Sequence, residues 1–142
     1  MSIKQYLFSF QGRVGRQVFW IWNAFYYLIV IGFSYGAGGL FPELGNVIAI
    51  FFLACMLYPD LAITAKRWHD RGKSVYWLAL HIPVIAGRVL APVAAPGVQM
   101  QTTAIETVAS LLALVAGAWI LVECGFLPGD QKENQYGAPP ER

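Results

Sequence analysis

Apolar residues run along this chain in four long stretches, and short polar or charged segments separate them. The first stretch contains 26 consecutive uncharged residues between Arg16 and Glu43, more than the roughly 20 residues that a helix needs to cross a bilayer. The four stretches predict transmembrane helices over about 17–40, 44–65, 74–91 and 105–127. The predicted fold class is therefore an all-α integral membrane protein, a bundle of four transmembrane helices.

Little of the chain lies outside these stretches, so we expect a single membrane domain over 1–142. An N-terminal arm, 1–16, precedes the first span. The tail, 128–142, contains three prolines and two glycines and has no apolar periodicity, which predicts an extended or turn-rich segment. The third span contains Arg88 and is broken at Pro92, so it is close to the shortest length that can cross a bilayer.

The distribution of lysine and arginine predicts the orientation. Nine of the ten basic residues fall in the arm, in the loop 66–73 and in the tail. Basic residues next to spans are retained on the cytoplasmic side. An even number of spans then places both termini in the cytoplasm.

Composition excludes several classes of protein. With 57% hydrophobic and 13% charged residues, the chain departs from the roughly one quarter charged residues of a soluble domain. Its 142 residues leave no room for a separate cofactor module. Cys55 and Cys124 lie inside apolar runs, not at disulfide or zinc spacings. We therefore expect no cofactor, no metal site and no nucleic-acid partner.

Charged residues of the arm and the loop form the first candidate site, for an anionic head group or an acidic partner. Its members are Arg13, Arg16, Arg67, His69, Asp70 and Lys73. The arginines can instead anchor their helix by reaching to head groups, at roughly 1 kcal/mol each, or pair with acids of other helices. Asp70 can equally cap the third span. A nucleotide-binding loop ending in Lys73 is excluded because Arg67 replaces its required glycine.

A second candidate site is an intramembrane polar layer, because each predicted span carries one polar residue about 6 to 10 Å from its cytoplasmic end. The four residues are Asn23, Asp60, His81 and Glu123. Such groups are costly in lipid and normally face a partner. The layer is interpreted as a packing clamp, a ligand site or part of a proton path. Residues such as Leu28 and Leu53 occupy the midplane and leave no continuous polar route.

Three segments in order resemble a known family. They are the arm pattern Phe10, Gly12, Arg13, Arg16, Phe19, Trp20; the loop pattern Arg67, His69, Asp70, Gly72, Lys73, Ser74; and the tail pattern Pro128, Gly129, Asn134, Tyr136, Gly137, Pro140. With these motifs the chain resembles the domain of unknown function 805 family of small bacterial inner-membrane proteins. The resemblance implies a multi-pass helical protein of the inner membrane with the motifs facing the cytoplasm, and no established activity.

We interpret the chain as a binding protein, since no serine or cysteine is placed to act as a nucleophile. Its expected partners are anionic phospholipid head groups or another membrane protein, including a second copy of the chain. The alternative is a transporter or channel subunit that uses the Asp60, His81 and Glu123 layer. An enzyme that acts on lipid is the least favoured interpretation.

Overall fold

The computed structural model describes residues 1–40, 43–90 and 103–140, and every regular element within these ranges is a helix. The α-helices are α1 (Ile3–Phe8), α2 (Arg16–Leu40), α3 (Gly45–Asp70), α4 (His81–Leu90) and α5 (Ala104–Ile120). A 3₁₀ helix, Val75–Leu80, precedes α4, and a π-helix, Leu121–Phe126, follows α5. The described residues are thus all-helical, as predicted. The end of the predicted third span, residue 91, and the breaker Pro92 lie outside the described residues, and so does Arg142.

One helix of the described residues has the length and apolar composition of a transmembrane helix. The continuous helical segment Ala104–Phe126 is long and apolar enough to cross a bilayer, and most of it is exposed. Exposed apolar side chains are expected where a helix faces lipid. The described residues therefore contain one helix with the length and composition of a membrane span, while the four-span bundle and its boundaries stay predictions.

The chain divides into two compact units, Met1–Val75 with Pro128–Arg142, and Tyr76–Leu127. In the first unit α2 packs on α3, and α1 packs on α3. The buried apolar core of this unit consists of Val14, Trp22, Tyr26 and Ile63, with Tyr6, Leu7, Val18, Val30 and Met56 packed against it. Residues of the arm thus contribute to the core together with the two long helices.

The short helix α1 was not predicted, although the sequence signals its start. Ser2 Oγ accepts a hydrogen bond from the Gln5 backbone N–H, and the Gln5 side chain accepts one from the Ser2 N–H. This reciprocal capping box satisfies two of the backbone donors that a helix start leaves open. Its Ser-x-x-Gln spacing was visible in the sequence.

Helix α3 extends five residues beyond the predicted end of the second span. The sequence placed a loop from Lys66 onward, but Lys66–Asp70 is helical and the chain leaves the helix at Arg71. Gly72 adopts a positive φ of 72°, and its N–H donates to His69 O. A glycine in this conformation is a common helix terminator. The ion pairs of Asp70 and the hydrogen bonds that this turn makes with the arm and the tail compensate for the burial of its polar groups.

In the second unit α4 packs closely against α5. A Cβ on Gly87 would overlap the Ala113 side chain and lie 3.2 Å from Ala109 O. Val84 lies 3.9 Å from the position of a Cβ on Gly117. The small residues spaced four apart along α5 therefore face α4 and allow the two backbones to approach.

The predicted third span is two helical pieces and not one continuous α-helix. The 3₁₀ helix ends at Leu80 and α4 begins at His81. Pro83 is the third residue of α4 and has no backbone N–H to donate to the preceding turn. A proline is tolerated in the first turn of a helix, where such donors are not needed. Pro83 therefore explains why the α-helix starts at His81.

Candidate functional site

Asp70 lies at the centre of a buried ionic cluster at the end of α3. Its Oδ1 accepts from Arg13 Nη2 at 2.9 Å, and its Oδ2 accepts from Arg67 Nη1 at 2.7 Å. The relative exposures of Arg13, Arg67 and Asp70 are 4%, 0% and 1%. A buried charge is tolerated only with partners of opposite charge and good hydrogen-bond geometry. One carboxylate therefore holds two guanidinium groups inside the protein.

Arg13 also fastens the tail. Its Nη2 donates to Asp130 O at 2.6 Å, and its Nη1 donates to Lys132 O and to Gly137 O, both at 2.9 Å. Its Nε donates to Asp70 Oδ1 at 3.1 Å. A guanidinium has five N–H donors in a rigid fork, and here the fork joins the arm, α3 and the tail.

The tail makes further hydrogen bonds to the last turn of α3. The Asp130 N–H donates to Asp70 O at 2.6 Å. Asn134 Nδ2 donates to His69 O at 3.0 Å and to Asp130 Oδ2 at 2.9 Å. The backbones of Asn134 and Gly137 are paired in an antiparallel bridge. The bonds to Asp70 O and His69 O satisfy carbonyl groups at the C-terminal end of α3 that have no partner within the helix.

Gly129 explains how the tail backbone comes so close to Asp70. A Cβ on Gly129 would overlap Asp70 Oδ2 and Cγ and lie 2.9 Å from Asp70 O. No side chain fits there without moving the acid away from its arginines. The absence of a Cβ is therefore required at residue 129 for the ionic cluster and the tail to meet.

His69 provides a flat contact surface for the tail. Its ring stacks on Tyr136 with the ring centroids 3.9 Å apart and the planes 8° from parallel. Its Nδ1 lies 3.1 Å from Gly12 O, a distance at which an Nδ1–H donates to that carbonyl. Burial lowers the pKa of His69 below its ordinary value, and the hydrogen bond to Gly12 opposes this shift. His69 thus contacts both the arm and the tail, and burial favours its neutral form.

Lys66 connects α1 to α3. Its Nζ donates to Gln5 O at 2.6 Å and to Tyr6 O at 2.5 Å. The side chain is fully buried, and burial lowers the pKa of Lys66 from 10.5 to about 8. The amine therefore caps carbonyls at the end of α1 and is not exposed to an external anion.

The structure divides the first predicted site into two groups. Arg13, Arg67, His69 and Asp70 come together and are buried. Arg16 is exposed, and Lys73 is half-buried with its Nζ 5.5 Å from the centre of the Trp68 ring. The buried group stabilises the fold of the arm and tail, and Arg16 and Lys73 are the more exposed of the six side chains.

The predicted polar layer is distributed over both units. In the first unit Asn23 Nδ2 donates to Phe19 O of its own helix, while Asp60 Oδ1 accepts from Trp22 Nε1 at 2.9 Å. In the second unit His81 is buried and Glu123 is half-buried within the π-helix. The bond between Asp60 and Trp22 links α2 to α3, as a packing clamp does. The layer as a whole stays a prediction.

Several residues that form the site were not identified from the sequence. The roles of Trp22, Gly129 and Asp130 depend on contacts between residues 38 to 117 positions apart, or on space that only the fold defines. Lys66 was assigned to a loop. Among the described residues, no group of three histidine, cysteine or acidic side chains can hold a metal ion.

The comparisons with known proteins agree with the motifs. The sequence profile of a family described as Protein of unknown function (DUF805) matches residues 7–138. The chain is 40% identical over 140 residues to the uncharacterized protein YiiR of Escherichia coli strain K12, covering 96% of this chain and 89% of that protein. YiiR of Escherichia coli O157:H7 matches to the same extent. No solved structure matches this chain significantly. The chain therefore belongs to the DUF805 family of proteins of unknown function.

Proposed function

We propose that this protein is a four-span inner-membrane protein that binds anionic phospholipid head groups at its cytoplasmic surface. In this proposal Arg13, Arg67 and Asp70 hold the arm, the end of α3 and the tail together as a cap. Arg16 and Lys73, at the edge of this cap, contact the lipid phosphates. The assignment differs from the sequence-based one because the two buried arginines already bind Asp70.

The observation that carries the proposal is the order of exposed side chains along α2. Arg16 is its first residue, and the exposed large side chains of the next segment are mainly aromatic, with Trp20, Phe25 and Tyr27 beside the aliphatic Ile21. The exposed aliphatics Leu28 and Ile31 come deeper in the helix. Basic residues at the surface, aromatic rings at the interface and aliphatic side chains beyond are the order that a bilayer favours. Arg16 is then at head-group level.

Contacts within the first unit support the predicted sidedness. Arg13 of the arm donates to carbonyls of the tail and binds Asp70 of α3, so the arm and the described part of the tail meet at the same end of α3. An even number of spans requires this arrangement. Arginine also suits a phosphate ligand, because its planar fork can donate two parallel hydrogen bonds.

The transporter interpretation is less favoured by the contacts of the polar layer. Asp60 is bonded to Trp22, and Asn23 is bonded to its own helix. The first bond packs α2 against α3, and the second lies within α2. A flux of substrate or protons in liposomes that is lost on Asp60→Asn would support that alternative.

Native mass spectrometry of the protein released from membranes tests the proposal. We expect phosphatidylglycerol to be retained by the wild type, and Arg16→Gln to lower its apparent affinity roughly fivefold, since one basic residue near the surface contributes about 1 kcal/mol. The matched control is Lys132→Gln, which removes one exposed charge from the tail. Equal retention by the wild type and Arg16→Gln, or equal losses in both variants, would remove the basis for a specific head-group contact.

A further inference from the structure

The N-terminal arm runs along α3 toward the predicted membrane and then returns. Lys66 holds α1 at Gln5 and Tyr6. Beyond α1, the arm comes back to the end of α3, where Gly12 O accepts from His69 and Arg13 binds Asp70. The turning point of the arm therefore lies between these two attachments, at about residues 8–10.

Aromatic contacts place that turning point far along α3. The rings of Phe8 and Tyr58 stack with centroids 6.1 Å apart, and Phe10 meets the same tyrosine edge-on at 5.3 Å. Tyr58 precedes Lys66 by eight residues, which corresponds to about 12 Å along a helix at 1.5 Å per residue. Because the predicted second span ends just before Lys66, Phe8 and Phe10 lie beside a residue inside that span.

We propose that the arm is a re-entrant element whose tip, Phe8–Phe10, is inserted into the inner leaflet of the bilayer beside α3. The proposal rests on the proposed function, because it requires α3 to span the membrane. It adds a second lipid contact, made by apolar side chains and not by charge. Part of the arm then lies within the inner leaflet next to α3, and the arm is not a purely cytoplasmic segment.

The hydrogen bonds of the arm suit such an environment. Backbone at membrane depth is tolerated only when its polar groups have partners within the protein. Carbonyl groups at the end of α1 have them, because Lys66 Nζ binds Gln5 O and Tyr6 O, and Tyr58 Oη donates to Phe8 O at 3.2 Å. Side chains of α3 therefore satisfy acceptors that water would otherwise solvate.

The exposure and charge of the arm favour lipid as the partner of its apolar surface. Ile3 is 78% exposed and Phe8 is 52% exposed, and Tyr58 continues this surface on α3. Residues 1–42 contain no acidic residue, while Lys4 is exposed on α1. An apolar surface with basic charge only matches an anionic bilayer interface, where such elements bind in the plane of the membrane.

The experiment measures the depth of nitroxide labels in nanodiscs that contain phosphatidylethanolamine and phosphatidylglycerol. Labels are introduced by Phe8→Cys or Ile3→Cys in a Cys55→Ala background, since Cys55 is exposed and Cys124 is buried. Leu28→Cys on α2 gives the reference for lipid, and Lys132→Cys in the tail gives the reference for water. Collision rates with oxygen and with a soluble nickel chelate report depth.

We expect the ratio of oxygen to nickel collisions at residue 8 to exceed that at residue 132 roughly tenfold, the factor that corresponds to a transfer cost of about 1.4 kcal/mol for the chelate. Ile3→Cys leaves the ring contacts of Phe8 intact, so it keeps the test valid if Phe8→Cys fails to fold. A shallower but still lipid-like ratio is expected there, because residue 3 lies farther from the tip.

The outcomes separate the two proposals. A water-like ratio at residues 3 and 8 with a lipid-like ratio at residue 28 would overturn the re-entrant arm alone. A water-like ratio at residue 28 as well would overturn the membrane assignment of α2 and with it the proposed function. Shielding of residue 8 from both reagents, with spin–spin broadening between copies, would show that a second copy covers the arm and would also overturn the proposal.

Discussion

Arg13→Lys tests the central role of the guanidinium fork in docking the tail. The substitution keeps the positive charge beside Asp70 but replaces a planar fork by a single ammonium group. Arg13 binds Asp70 and three tail carbonyls, Asp130 O, Lys132 O and Gly137 O. An ammonium group at one point in space cannot reach all four partners. We therefore expect the ion pair to persist and the tail to loosen.

The size of the effect follows from the hydrogen bonds that are lost. Losing two or three of them at about 1 kcal/mol each gives about 2 to 3 kcal/mol in the free energy of tail docking. This corresponds to a population of undocked tail that is raised roughly 30- to 150-fold. The interaction is buried, so solvent screening reduces it little.

Amide hydrogen exchange of the protein in nanodiscs measures this population. The reporters are the N–H of Asp130, which donates to Asp70 O, and those of Asn134 and Gly137, which pair with each other. The control is Arg16→Lys, three residues away and exposed, which should leave their exchange unchanged. Peptides of α5 provide an internal reference for global unfolding.

Two results would refute the reasoning. Exchange in the tail of Arg13→Lys at the wild-type rate would show that the carbonyl contacts contribute nothing to docking. Equal acceleration in the tail and in α5 would show that Arg13 supports the whole fold and has no specific role at the tail.

Three further predictions concern the same cluster. Gly129→Ala would place a methyl group on the Asp70 carboxylate, so we expect faster tail exchange, whereas Gln135→Ala, at an exposed residue of the same tail, should be neutral. Lys66 has a pKa of about 8 in the folded protein against 10.5 for the free side chain. Between these two pH values the unfolded chain alone retains the proton, so the free energy of unfolding should rise from about pH 8 to pH 10.5. In denaturant titrations Lys66→Met should lack this rise, and the same rise in Lys66→Met would contradict the assignment to Lys66. Burial lowers the pKa of His69, so tail docking should weaken as the pH falls below about 6.5; His69→Phe, which keeps a ring against Tyr136, should remove this dependence of exchange on pH.

Helical content was the most predictable feature of the fold, because it depends on local sequence. The first apolar stretch was predicted to be helical over 17–40 and is helical over Arg16–Leu40. The ends were less predictable where distant residues decide them. Helix α3 continues to Asp70 because residues of the arm and the tail pair with the polar groups of its last turn, a cause that no local pattern contains.

The candidate site was predictable in its members and not in their roles. Arg13, Arg67, His69 and Asp70 were selected because charged residues clustered at span ends. The structure brings these four together, yet it turns Arg13 and Arg67 inward onto Asp70. Arg67 and Asp70 are three residues apart, a spacing at which side chains of a helix pair, but the sequence placed both in a loop. Local sequence gives no reason for Arg13 to prefer this acid, 57 residues away, over an external phosphate.

The sequence alone therefore determined the helical class, the family and the apolar character of Ala104–Phe126, all of which depend on composition, periodicity and motif order. Tertiary structure decided which charges are buried, that the tail docks on α3, and that the arm runs along α3 before α2 begins. The physical reason is distance along the chain. Arg13 reaches partners 57 to 124 residues away, and the cost of burying its charge is offset only when the fold brings those partners to it.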